Sequence, residues 1–168
     1  MTDGRVETTR THDMVLTRVF DAPVERVWRA WTEDDQVMQW WGPLGFTAPL
    51  ARMDVREGGT SLVCMRSPDL GDMYNTWTYT AVAPKERLEF VSRFSDEHGT
   101  ALDPGEMGLP GVPAEVPHVI TFEADGEGTT RLTVREIGYP DPQIVEVSRL
   151  GMEQCLDKMA TLVGDARA

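Results

Sequence analysis

His118 and Glu136 are the residues whose types and placement lend themselves to chemistry. They sit in two segments rich in β-branched and apolar residues, 118–123 and 131–137, joined by the turn sequence Asp125-Gly126-Glu127-Gly128. Taking Ile120 and Phe122 as inward makes His118 inward too, by the two-residue period of a strand, and Leu132, Val134 and Glu136 form the matching set. Pairing Phe122 with Leu132 across the turn then places Ile120 opposite Val134 and His118 opposite Glu136. A carboxylate beside an imidazole fixes the ring's tautomer and orientation, as a general acid/base requires. The same pair can instead orient a polar group of an otherwise apolar ligand, or stand as one satisfied polar pair near the sheet's open end. The register is decisive, because a slip of one residue sends both side chains to solvent.

Other chemistries find little support. There is no Gly-x-Ser-x-Gly elbow, and Cys155 lies in a helical pattern between Glu153 and Asp157, which disfavours a thiolate. Cys64 and Cys155 are far apart and read as free, buried thiols. His12, His98 and His118 show no metal spacing, and the acidic run Glu33-Asp34-Asp35 reads as a helix start, so neither a metal nor a cofactor is expected. Gly58-Gly59 joins two strand patterns and reads as a hairpin turn, not a phosphate loop.

The elements that position the pair begin with residues 23–48, which hold four of the five tryptophans. Val24, Val27, Trp28 and Trp31 recur at helical spacing, and Pro23 suits the first helical position, so a helix is predicted to end near Trp31. Thr32 is the predicted cap of a second helix, with Glu33, Asp34 and Asp35 in its first turn and Gly42-Pro43 stopping it after Trp40-Trp41. Strands are predicted at 14–20, 46–55, 60–65, 74–82, 88–94, 118–123 and 131–137, and a long helix at 142–163. On that helix Ser148, Met152, Cys155, Met159 and Val163 form an inward stripe widened by Leu150, Leu156 and Leu162, while Glu146, Arg149, Glu153, Asp157 and Lys158 point outward. The class is therefore α+β, in the order β-α-α-β-β-β-β-β-β-α: a curved antiparallel sheet of about seven strands wrapped on a C-terminal helix. Residues 1–13 form a polar tail and 14–168 one domain. Alternating Gly and Pro exclude regular structure from 95–117, a segment long enough to act as a lid.

The side chains expected to face the interior include Trp28, Trp41, Phe46, Met53, Met65, Tyr74, Trp77, Tyr79, Phe90 and Phe94, with His118, Ile120, Phe122, Met152, Cys155 and Met159. Methionines suit a cavity that accepts varied shapes. A net charge of −12 with no Lys/Arg run argues against nucleic acid and anionic membranes. The longest apolar runs are too short to span a bilayer, and residues 1–13 lack the apolar core of a signal peptide, so a cytoplasmic location is expected.

The run Ala22-Pro23-Val24-Glu25-Arg26-Val27-Trp28-Arg29-Ala30-Trp31-Thr32, then Trp40-Trp41-Gly42-Pro43, Gly45-Phe46, Arg56-Glu57-Gly58-Gly59, Pro84-Lys85-Glu86-Arg87-Leu88 and Gly128-Thr129-Thr130-Arg131-Leu132, resembles the START/SRPBCC helix-grip superfamily. More narrowly it resembles the branch homologous to the C-terminal domain of the activator of heat-shock-protein-90 ATPase, over roughly residues 14–164. The resemblance implies a deep apolar cavity between sheet and C-terminal helix, used across the superfamily for lipids, polyketides and other hydrophobic molecules. A homodimer is also expected, being common in the branch. The co-chaperone role is not expected to carry over, since the eukaryotic activators use a separate N-terminal domain that this sequence lacks. Three functions follow as expectations: binding of a small hydrophobic ligand; a cyclase, dehydratase or hydrolase using His118 and Glu136; and a protein-interaction module, either chaperone cofactor-like or a partner of a stress-linked regulator.

Overall fold

The structure, a computed structural model, describes residues 11–164. Its elements are β1 (His12–Phe20), α1 (Val24–Thr32), α2 (Asp34–Trp40), β2 (Thr47–Arg52), β3 (Thr60–Ser67), β4 (Gly71–Ala83), β5 (Arg87–Ser95), β6 (Val116–Ala124), β7 (Thr130–Tyr139) and α3 (Pro142–Gly164). The seven strands form one antiparallel sheet in the order β1-β7-β6-β5-β4-β3-β2. Tight connections between consecutive strands from β2 to β5 and from β6 to β7 dictate antiparallel neighbours, and α3 returns over the β1 side of the inner face. No helix among the described residues is long and apolar enough to cross a membrane.

Several local expectations are corrected. Pro23 is the N-cap of α1, with extended backbone, and its carbonyl accepts from Arg26 N and Val27 N at 3.0 and 3.2 Å. Thr32 does not cap α2; it ends α1, and its hydroxyl donates to Trp28 O at 3.0 Å, a local bond that competes with capping. Glu33 takes the cap position without a side-chain bond, leaving Asp34 and Asp35 in the first turn. β1 starts at His12, inside the expected polar tail, because Asp13 accepts from Gly138 N at 3.2 Å and from the Arg135 guanidinium. The rest of that tail, 1–10, lies outside the described residues. Within the Gly/Pro-rich segment, Asp103 caps a short 3-10 turn at Pro104–Met107, which ends at Gly108 with φ +80°.

Packing on α3 departs from the expected stripe at particular residues. Val145, Met152, Cys155, Leu156, Met159 and Val163 are buried, but Leu150 is 58% exposed. It lies two residues from Met152, about 200° round the helix, so it cannot widen the same face. Lys158 is not simply outward: its ammonium donates to the carbonyls of Gly42, Pro43 and Phe46 at 2.8, 3.2 and 2.9 Å, tying α3 to the α2–β2 connection. Arg26 of α1 donates to Val163 O at 2.8 Å and Leu162 O at 3.2 Å, satisfying carbonyls at the negative end of α3.

The tryptophans plug one end of the sheet. Trp31 meets Trp40 at 4.7 Å and Trp77 at 6.1 Å, Trp77 stacks on Phe90 at 4.9 Å, and Phe90 stacks on His118 at 4.8 Å. Trp40 Nε1 donates to Ala30 O at 2.6 Å, so the indole ties α2 to α1 as well as filling the core. This aromatic chain runs from α2 to the imidazole and fixes its plane.

Replacing Lys158 by Met keeps the apolar stem and removes three donations. The expected cost is about 1–3 kcal/mol, read as a melting temperature lowered by roughly 2–4 °C per kcal/mol. A melting curve superimposable on that of the unaltered protein would show that these three donations do not hold α3.

Candidate functional site

The β6–β7 ladder pairs Phe122 with Leu132, Ile120 with Val134 and His118 with Glu136, as the alternation in the two segments requires. His118 Nε2 lies 3.2 Å from Glu136 Oε2, and the two side chains are 9% and 4% exposed. His118 Nδ1 lies 2.9 Å from Val116 O. Both ring nitrogens thus face oxygen acceptors, and both bonds are made only when both nitrogens carry protons. Tyr139 OH donates to Glu136 Oε1 at 2.6 Å, and Ser148 Oγ of α3 donates to the same oxygen. Ser148 was on the expected inward stripe. Tyr139 was not foreseen, because simple alternation from Glu136 turns it outward. Gly138, at φ +94°, sits beside the irregularity in the β1–β7 register and reverses the alternation; a glycine within a strand pattern was the available signal.

Burial alone would push the Glu136 carboxyl up. The hydrogen bond and charge of His118, with the bonds from Ser148 and Tyr139, outweigh it and hold the group below the ordinary glutamate range. Burial first, and then the adjacent carboxylate, push the Tyr139 phenol up. Burial pushes the Cys155 thiol up to about 12, so it is no nucleophile, and desolvation rather than its acidic neighbours in sequence is the main cause. Cys64 and Cys155 are both free and buried. Among the described residues no three His, Cys, Asp or Glu side chains group as a metal site.

Beside this cluster lies a pocket of about 320 Å3, between the inner face of the sheet and the N-terminal half of α3. Of the residues expected to face the interior, Trp41, Met65, Phe94, His118, Met152 and Cys155 line it, together with Glu136. The others lie elsewhere. Trp77, Tyr79, Phe90, Ile120, Phe122 and Met159 are consumed by the packed core. Trp28 sits edge-on to Phe122 at 5.1 Å, and Met53 packs half-buried at the core's margin. Phe46 lies against Gly42, and Tyr74 has the opposite parity to Asn75 and Trp77, beside Cys64 on the outer face. The α2–β2 connection, the loop after β5 and the start of α3 add Pro43, Leu109, Val112, Ile144, Val147 and Gly151. The sheet adds Met73, Asn75, Ser92 and Val116. Loop positions carry no periodic signal, which is why they escaped the sequence reading.

Because its folded-state pKa is depressed, Glu136 adds stability above the ordinary glutamate range, and that contribution disappears as pH falls through the depressed value. Glu136→Gln is expected to cost about 3–5 kcal/mol at neutral pH, since it leaves the buried imidazole unmatched. The gap between the two proteins in denaturant unfolding should narrow as the solution is acidified below the glutamate range. A gap that stays constant with pH would show that the carboxylate is not held ionised by its donors.

Comparison with known proteins agrees with this architecture. A structure from Chromobacterium violaceum is 28% identical and superposes with a TM-score of 0.74, over 90% of this chain and 96% of that one. A solution structure from Arthrobacter aurescens is 23% identical with a TM-score of 0.77, over 95% and 90% of the two chains. The AHSA1 protein of Silicibacter pomeroyi is 20% identical with a TM-score of 0.72, over 91% and 98%. No curated protein matches the sequence. The shared fold is the helix grip, an architecture known for ligand binding. A family model described as Activator of Hsp90 ATPase homolog 1-like protein matches residues 21–164, and the chain belongs to that family.

Proposed function

We propose that the protein binds a small hydrophobic molecule, lipid-like or polyketide-like in character, in the pocket beneath the N-terminal half of α3. One observation carries this reading: a wall built mostly of carbon, from Met65, Met73, Phe94, Val116, Ile144 and Met152, carries only a few polar groups, Asn75 on β4 and, three strands away, the bonded pair of Glu136 on β7 and Ser148 on α3. Sites for small organic ligands have this composition, with apolar walls for affinity and a few placed polar groups for orientation. At about 320 Å3 the space suits a compact ring system or a short chain rather than a two-chain lipid. The methionines adapt to shape. The loop after β5 is suited to act as a gate: Leu109 and Val112 reach the pocket, and Gly111 rests on Ile144, where an added Cβ would come within 3.1 Å.

An acid/base role for His118 is less well supported, because Val116 O and Glu136 occupy both ring nitrogens. A substrate would have to displace one of them before the ring could exchange a proton with it. A protein-interaction role needs no interior space, so the pocket itself favours a small ligand.

Gly151 lies in α3 on the pocket wall, and a Cβ there meets only Pro43, at an ordinary 3.9 Å. Gly151→Leu should fill the pocket while keeping the fold, since leaving glycine in a helix interior gains about 1 kcal/mol of helix propensity. The expected result in native mass spectrometry is a bound small mass on the unaltered protein and none on the variant, with melting temperature preserved. An absence of any bound mass on the unaltered protein, with no thermal shift across a panel of lipids and polyketides, would count against the reading.

A further inference from the structure

We infer that the occupant of this pocket is an uncharged molecule that donates a hydrogen bond to Asn75 Oδ1, which makes alcohols, phenols and amides its class and carboxylates the compounds it rejects. The inference rests on the ligand-binding reading and deepens it by naming the ligand's polar chemistry. Asn75 lies on β4 with the inward parity of Trp77 and is 6% exposed. Its Nδ2 donates to Arg93 O at 3.4 Å, while its Oδ1 is buried and has no hydrogen-bond partner among the described residues. The carbonyl of Arg93 accepts only, so it fixes the amide's orientation: turning the group over would set oxygen against oxygen. Asn75 lines the pocket, so a bound molecule that reaches Oδ1 supplies the donor this acceptor lacks. Trp41 Nε1, on the same wall, is a buried donor likewise without a partner. A hydroxyl or an amide carries both a donor and an acceptor, matching the two orphans in kind.

Charge narrows the class. Among the described residues no Lys or Arg lines the pocket, and both ring nitrogens of His118 are taken up by Glu136 and the Val116 carbonyl. The Lys158 ammonium of α3 is taken up by three backbone carbonyls. An anionic ligand would meet no free counter-charge, and would face a carboxylate and an amide oxygen in a mostly apolar enclosure. That is a costly place for a charge. A methyl ether has the right shape but no donor, and would leave Asn75 Oδ1 as unmatched as before. Sites built around a hydrogen bond reject the analogue that lacks it more sharply than apolar walls reject a change of size.

Isothermal titration of the full chain with 2-naphthol, 2-methoxynaphthalene and 2-naphthoate tests this, since the three share one ring system and differ in donor and charge. The expected order is 2-naphthol tightest by about tenfold over the ether, with the carboxylate weakest. Asn75→Leu, close in shape and without the acceptor, should bring the naphthol and the ether within about twofold. Equal binding of naphthol and ether by the unaltered protein, or tightest binding of 2-naphthoate, would overturn the inference while leaving the ligand-binding reading in place. The same holds if Asn75→Leu keeps the full preference, because the hydroxyl would then be donating to an acceptor other than Oδ1. A blank titration with all three overturns the inference, and an empty native mass spectrum beside it would remove the ligand-binding reading as well. The series on the unaltered protein decides the matter even if the variant fails to fold.

Discussion

A carboxylate buried as deeply as that of Glu136 has to gather donors, and it gathers them from three parts of the chain. His118 comes from the neighbouring strand, Tyr139 from beyond a glycine-induced irregularity in its own strand, and Ser148 from α3. The cluster therefore does mechanical as well as electrostatic work: it sets the register of β6 on β7 and fixes where the start of α3 sits over the sheet. Each donor satisfies an oxygen that burial would otherwise leave unmatched, and the carboxylate in turn satisfies each donor. A cluster so completely used in holding itself together has its hydrogen-bonding capacity taken up within the frame.

The division of the interior into a packed end and an open end follows from side-chain size. Around α1 and α2, indoles and phenyl rings interlock from Trp40 to Phe90 and leave no room. Towards the start of α3 the facing positions are Ser92, Ser148 and Gly151, with methionines for walls, and small residues opposite flexible ones leave a space. The connection between α2 and β2 could close on that space, but Lys158 holds it by three carbonyls. The pocket is thus bounded by groups with other structural duties, and its polar atoms at Asn75 and Trp41 are those the frame leaves unused.

Much of this was legible in the sequence, for identifiable reasons. The hairpin of Asp125-Gly126-Glu127-Gly128 leaves one register in which Ile120 and Phe122 face the same way as Leu132 and Val134, and that register joins His118 to Glu136. The strand and helix order was equally accessible, because period and turn chemistry agree along the chain. Three kinds of feature were not. Capping at Thr32 depended on competition between nearby hydrogen bonds, which composition alone does not settle. Tyr139 required recognising that Gly138 reverses the strand's parity. Leu109 and Val112 reach the pocket from a loop whose path has no period to read, whereas Phe90 and Trp77, with the right inward parity, were consumed by one another.

The central claim is that a self-satisfied polar cluster stands beside an apolar space that stays open. Diffraction from a crystal pressurised with xenon tests both halves at once, since xenon enters dry apolar cavities and displaces nothing charged. The account predicts xenon between Phe94, Met65 and Met152, with His118 still bonded to Glu136 and to the carbonyl of Val116. An interior filled by collapsed methionines, with no xenon and with His118 turned away from Glu136, would contradict it.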